Sequence, residues 1–135
     1  MQELFPLKKI AFLSDYIPRC CGIAIFAASL CEAITAEFPE TNCLVTAIND
    51  TNKAYQYPPE VHFEIEEQNS LSFGDGAEFF NLNKVDVVSI QHEFGIYGGE
   101  TVEFILDFLK TLEIPSIVTL YASLLIPFTI RACDR

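Results

Sequence analysis

The sequence predicts an α/β domain built on a doubly wound, mainly parallel, Rossmann-like sheet. Three observations lead there. Short β-branched runs alternate with segments of helical period along most of the chain. The first strand is followed by a glycine-bearing loop and then a helix, the order of a first βα turn. The run from Val85 to Gln91, with Val85, Val87, Val88 and Ile90, suits the middle of a parallel sheet.

Lys8 to Leu13 reads as the first strand, introduced by charge and quickly apolar. Ser14 to Gly22 is the loop after it. Gly22 to Phe38 is helical, with Ile23, Phe26, Ala27, Leu30, Ile34 and Phe38 on one stripe, and Pro39 ends it. Asn42 to Ile48 is a second strand, broken by Asn49-Asp50-Thr51-Asn52. Val61 to Ile65 alternates and suits a short strand near a sheet edge. Gly74-Asp75-Gly76 interrupts the next segment, which leaves a short helix from Ala77 to Leu82. After the fourth strand, Glu100 to Leu112 is a helix with Val102, Ile105, Leu106, Leu109 and Leu112 on one face. Glu100 and Glu103 in its first turn suit the helix dipole. Pro115 to Leu120 is a fifth strand. The expected division is a domain over 1–120 and a divergent apolar tail over 121–135.

Composition narrows the function. With 135 residues the chain can bury one real core, and half of its residues are hydrophobic. Eight basic against 19 acidic residues give a net charge of −11. Nucleic acid and anionic membranes need a basic footprint, so both are poor partners. Cys20, Cys21, Cys31, Cys43 and Cys133 form no CxxC pair and no zinc pattern. The start of the chain lacks the basic and long apolar regions of a secretory signal. Free thiols in a reducing cytoplasm are therefore expected. The stretch from Ile114 to Ile130 carries no charge, but Pro115 and Pro127 interrupt it. A spanning helix needs roughly 20 apolar residues. A buried strand followed by an exposed tail is the better reading.

Two loops hold the candidate chemistry. Gly22 opens a helix, where free backbone N–H groups and the dipole can hold an anion such as a phosphate. There is no GxGxxG and no GxxxxGK[ST], so the bare spacing suits a structural cap equally well. The apolar fourth strand ends abruptly in Gln91-His92-Glu93, followed by Phe94-Gly95-Ile96-Tyr97-Gly98-Gly99. Ligands of open α/β sheets bind outside the carboxyl ends of the strands, which makes this a candidate site wall. The plainer alternative is that His92 and Glu93 satisfy each other at a strand end.

Pro18-Arg19-Cys20-Cys21-Gly22-Ile23-Ala24-Ile25-Phe26 resembles the first-loop motif of a subgroup of the family-four retaining glycosyltransferases. Gln91-His92-Glu93-Phe94-Gly95-Ile96-Tyr97-Gly98-Gly99 resembles the same subgroup's signature after its fourth strand. The resemblance covers roughly Lys8 to Leu120. It implies the N-terminal, acceptor-side half of a twin-Rossmann GT-B fold. The implied reaction moves a sugar from a nucleotide-sugar donor to a sugar or glycolipid acceptor with retention, with no cofactor and usually no metal. By the match, the backbone of Gly22 and Ile23 would meet donor phosphates. His92, Glu93, Tyr97, Gly98 and Gly99 would line the cleft.

Three departures qualify the match. Ile25 stands where the motif usually has Thr. Tyr121, in Thr119-Leu120-Tyr121-Ala122, stands where the family usually has His, and Tyr is a poor proton acceptor, with an ordinary pKa near ~10. The sequence stops at Arg135, so the donor-binding half is expected to be absent and the isolated chain inactive. Two other readings remain: a non-catalytic α/β module binding a small ligand or a protein, and a flavodoxin-like protein. The uncharged run also leads us to expect self-association, or a partner covering Leu120 to Ile130.

Overall fold

The computed structural model describes residues 7–49, 54–92 and 103–120, with the backbone alone for His92. Five strands and three helices follow one another: β1 (Lys9–Ser14), α1 (Gly22–Glu37), β2 (Asn42–Asn49), β3 (Val61–Glu66), α2 (Ser70–Leu82), β4 (Val87–His92), α3 (Phe104–Thr111) and β5 (Ser116–Leu120). The strands form one sheet in the order β3-β2-β1-β4-β5, and every pairing is parallel. This is the expected doubly wound, Rossmann-like architecture. The short third strand does lie at an edge.

The sheet is covered on both faces because its central strands are apolar on both faces. Ala11 and Leu13 of β1 belong to the larger core, with Val88 and Ile90 of β4, Phe73, Ala77 and Phe80 of α2, and Ile105 and Phe108 of α3. Phe12 of β1 points the other way, into a smaller core with Val45 and Ala47 of β2 and Ala27 and Cys31 of α1. Thus α1 packs on one face and α2 and α3 on the other. At the amino ends of the strands, Asp86 accepts hydrogen bonds from the backbone N–H groups of Lys8 and Lys9 at 2.8 and 2.9 Å. Those two N–H groups hold the Asp86 carboxyl below its usual range.

The helices differ from their sequence patterns. The buried stripe of α1 is Ile23, Ala24, Ala27 and Cys31, while Phe26 and Phe38 are 46 % and 59 % exposed. Small residues face the sheet and let the helix approach it, so the bulky ones lie outward. In α3 the buried residues are Ile105 and Phe108, and Leu106 and Leu109 are exposed. Val102 and Glu100 lie outside the described residues, and Glu103 is the N-cap of α3 without a side-chain cap bond.

The largest correction concerns α2. It starts at Ser70, not Ala77, and runs through both glycines, with the Asn69 side chain accepting from Leu71 N–H as its cap. Gly76 is buried because α2 crosses β3 closely: a Cβ there would lie 2.6 Å from Ile65 Cδ1. Packing outweighs the roughly 1 kcal/mol propensity cost of a mid-helix glycine.

Gly76→Ala should therefore destabilise the fold by about 1–2 kcal/mol, the overpacking against the fully buried Ile65 outweighing the propensity gain of alanine. Gly74→Ala meets only Thr111 Oγ1, at 3.7 Å, and should be neutral or stabilising. Urea denaturation of the two variants checks this; equal shifts would contradict the packing account.

Candidate functional site

The strand order places a topological switch point at β1. The chain leaves β1 toward β2 on one side and later returns to β4 on the other. Crevices that hold ligands in open α/β sheets form at such a point, outside the carboxyl ends of the two strands. Here those ends are Ser14 of β1 and Gln91 and His92 of β4. Leu13 pairs with Ile90, so Ser14 and Gln91 are register neighbours. Gly22 follows β1 directly through the loop 15–21.

That loop is fastened from several sides. Asp15 is 1 % exposed, and a buried carboxylate needs partners. Its Oδ1 accepts from Arg19 Nη1 at 2.8 Å, and Oδ2 accepts from the Cys21 thiol at 3.5 Å. Arg19 also donates to the carbonyl of Ile48 at 3.1 Å, tying the loop to the end of β2. The fully buried Tyr16 donates to Glu60 Oε2 at 2.8 Å, which ties it to the start of β3. Burial, with that bond to Glu60, pushes the Tyr16 phenol far above its ordinary range. Next to the loop, Tyr57 bonds to Asn49, and Asn49 donates to Glu64 Oε1 at 2.8 Å.

Cys21 is the N-cap of α1. Its sulfur accepts from Ala24 N–H at 3.3 Å. Helix N-termini usually acidify a thiol. Here burial pushes the Cys21 thiol up, reinforced by the Asp15 carboxylate and opposed by the N–H groups of Ala24 and Ile23. Cys21 thus stays protonated, donating to Asp15 while capping the helix. With Ile23 and Ala24 turned to the sulfur, Gly22 N–H is the first-turn donor that finds no acceptor among the described residues.

Gly22 itself is informative. A Cβ on it would meet nothing within 4 Å, and its backbone is not in the left-handed region. Among the described residues, neither packing nor conformation demands glycine there. At the carboxyl end of β1, the Ser14 hydroxyl is fully buried with no hydrogen-bond partner among the described residues, as is the Thr46 hydroxyl on β2. An orphaned buried hydroxyl costs about 1–3 kcal/mol. Gln91 is also fully buried and donates to Ser89 Oγ at 2.8 Å. This end of the sheet thus carries an N–H donor, a hydroxyl without a partner among the described residues and the positive end of a helix. The Asp15–Arg19 pair beside it adds no net charge.

The structure therefore brings Gly22 and Ile23 to the same sheet end as the β4 terminus. Ile23 is buried, and its role is in the core as much as in the loop. The His92 backbone pairs with Leu120 at the end of β4. Glu93, Tyr97, Gly98, Gly99 and Tyr121 lie outside the described residues. Ser14, Asp15 and Arg19 were not anticipated. The signal for the last two was a pair of opposite charges four residues apart in the loop after β1. One expectation fails: Cys20 is disulfide-bonded, whereas Cys21, Cys31 and Cys43 are free. Among the described residues, no helix is long and apolar enough to cross a membrane, and no cluster of three or more His, Cys, Asp or Glu side chains could hold a metal ion.

No protein-family model matches this chain, and neither does any curated protein or solved structure.

The cap makes a direct prediction. Cys21→Ala should lower stability by about 1 kcal/mol, while Cys21→Ser, which keeps an acceptor for Ala24 N–H, should lose less than half of that. Chemical denaturation of both variants measures the difference. Equal losses would mean that the sulfur does not act as the cap.

Proposed function

We propose that this chain is the acceptor-side, N-terminal part of a retaining glycosyltransferase that draws on a nucleotide-sugar donor, and that it does not transfer sugar by itself. The observation carrying this reading is that the two loops with the resemblance follow β1 and β4, adjacent strands on either side of the switch point. A match of sequence alone would not require β1 and β4 to be neighbours. Among the described residues, the room for a Cβ on Gly22 and the unpartnered Ser14 hydroxyl support an anionic ligand there.

In this reading Gly22 N–H donates to a donor phosphate, and the end of α1 stabilises its charge. Ser14 Oγ, at the same sheet end, supplies a second donor. Arg19 keeps Asp15 neutralised, so the carboxylate does not repel the phosphate. The end of β4 forms the acceptor wall. Transfer requires donor and acceptor to be held together, and the site for the nucleotide belongs to the family's other half. The edge of the sheet supports a covering partner, whether that half or another copy. Ile117 and Leu120 on β5 are 62 % and 68 % exposed, and among the described residues β5 pairs only with β4.

Gly22→Ala separates this reading from a plain helix cap. The methyl fits the protein without strain, so the variant should be more stable than the parent by about 0.5 kcal/mol. It should also bind pyrophosphate and nucleoside diphosphates at least about tenfold more weakly, since the methyl occupies the ligand's approach. Calorimetric titration of both proteins measures this. Undiminished binding by the variant, or no binding by the parent, would remove the phosphate role. Sugar transfer by the purified 135-residue chain would overturn its assignment as inactive.

A further inference from the structure

The two edges of the sheet are not alike. β3, at one edge, carries Glu64 and Glu66, and its register with β2 shifts between Val45 and Thr46. Charges and irregularities of this kind keep other strands off an edge. β5, at the other edge, has neither. Ser116-Ile117-Val118-Thr119-Leu120 is uncharged, and it pairs with β4 in an unbroken parallel register. Its apolar side chains are exposed on both faces of the sheet. Val118 is the register partner of the core residue Ile90, so Val118 and Leu120 share the face of α2 and α3, and Ile117 lies on the face of α1.

Backbone groups on the outer side add to this. Val88 N–H donates to the Pro115 carbonyl, which sets the phase of the parallel ladder. Ile117 and Thr119 therefore turn their N–H and C=O groups toward β4. Ser116, Val118 and Leu120 turn theirs outward, where no strand pairs with them among the described residues.

We propose that β5 is a self-association edge, on which the β5 of a second copy lies antiparallel about a two-fold axis through Val118. In this register each Val118 exchanges both outward bonds with its twin, and Ser116 does the same with Leu120 of the second copy. Every outward group of the strand then finds a partner, and the sheet continues from one copy into the other. The side chains agree with that register. Val118 meets Val118 and Ser116 meets Leu120 on one face, Ile117 meets Thr119 on the other, and no like charges are opposed.

Charge selects the occupant. The whole chain has a net charge of −11, so most of its surface repels another copy. The stretch from Ile114 to Leu120 has no charged residue, so two copies can approach there. It gives a basic partner nothing to recognise. A second copy also brings an edge strand of the matching pattern. The inference goes beyond the glycosyltransferase reading and does not rest on it.

The test is sedimentation velocity of the intact 135-residue protein across a concentration series, joined to amide hydrogen exchange. A monomer–dimer equilibrium at tens of micromolar protein is expected. Added salt should tighten it by screening the repulsion between acidic copies. In the dimer the Ser116, Val118 and Leu120 amides should exchange at least about tenfold more slowly than in dilute protein. Ile117 and Thr119, bonded to β4, should change far less. Val118→Lys, which sets two ammonium groups against each other on the axis, should weaken the dimer at least about tenfold. Leu71→Lys, at an exposed position of α2, should leave it unchanged. If Val118→Lys fails to fold, the exchange pattern of the wild-type chain decides. A chain that stays monomeric overturns the proposal, and so does a dimer whose Ser116, Val118 and Leu120 amides exchange as in the monomer. Slow exchange of those amides at every concentration would mean that another segment of the same chain holds the edge, which also overturns it.

Discussion

The pairing of β1 with β2 on one side and β4 on the other is the constraint on which the rest of the structure depends. It places β1 at the centre of the sheet, where it contributes to both cores, through Ala11 and Leu13 on one face and Phe12 on the other. It also fixes where chemistry can gather. A strand flanked on both sides by parallel partners ends with the chain diverging in two directions, and a concavity follows from that divergence. Ser14, Asp15 and the start of α1 lie there because of topology.

The polar groups at that end are arranged to make a buried loop tolerable. Asp15 spends its two oxygens on Arg19 and Cys21, and Arg19 reaches on to the Ile48 carbonyl. Cys21 acts at once as donor and cap. With these groups satisfied, what is left over stands out physically: the Gly22 N–H and the Ser14 hydroxyl. Within seven residues the fold satisfies a carboxylate, a guanidinium and a thiol, while the fully buried Ser14 hydroxyl has no partner among the described residues.

The sheet was legible in the sequence because its strands are runs of β-branched residues bounded by turn formers, as in Val85 to Ile90. The helices were less so. Counting large apolar residues placed Phe26 and Phe38 inward, whereas close approach to the sheet selects Ala24, Ala27 and Cys31. Phe108 was passed over for Leu106 and Leu109, since leucine spacing alone does not reveal which side a helix turns. Gly74 and Gly76 read as a break because local propensity says so; contact with Ile65 reverses it. At the site, Gly22 was readable as a glycine before a helix. The Asp15–Arg19 pair and the orphaned Ser14 depend on three-dimensional burial, which no local pattern encodes.

The most direct measurement of the central claim is an amide-resolved NMR titration of the full chain with pyrophosphate and a nucleoside diphosphate. If the end of β1 and α1 is an anion seat, the largest shifts fall on Ser14, Gly22, Ile23 and Gln91, which converge at one sheet end. Shifts confined to other surfaces, such as β5 or the exposed face of α3, or no shifts at millimolar ligand, would contradict it.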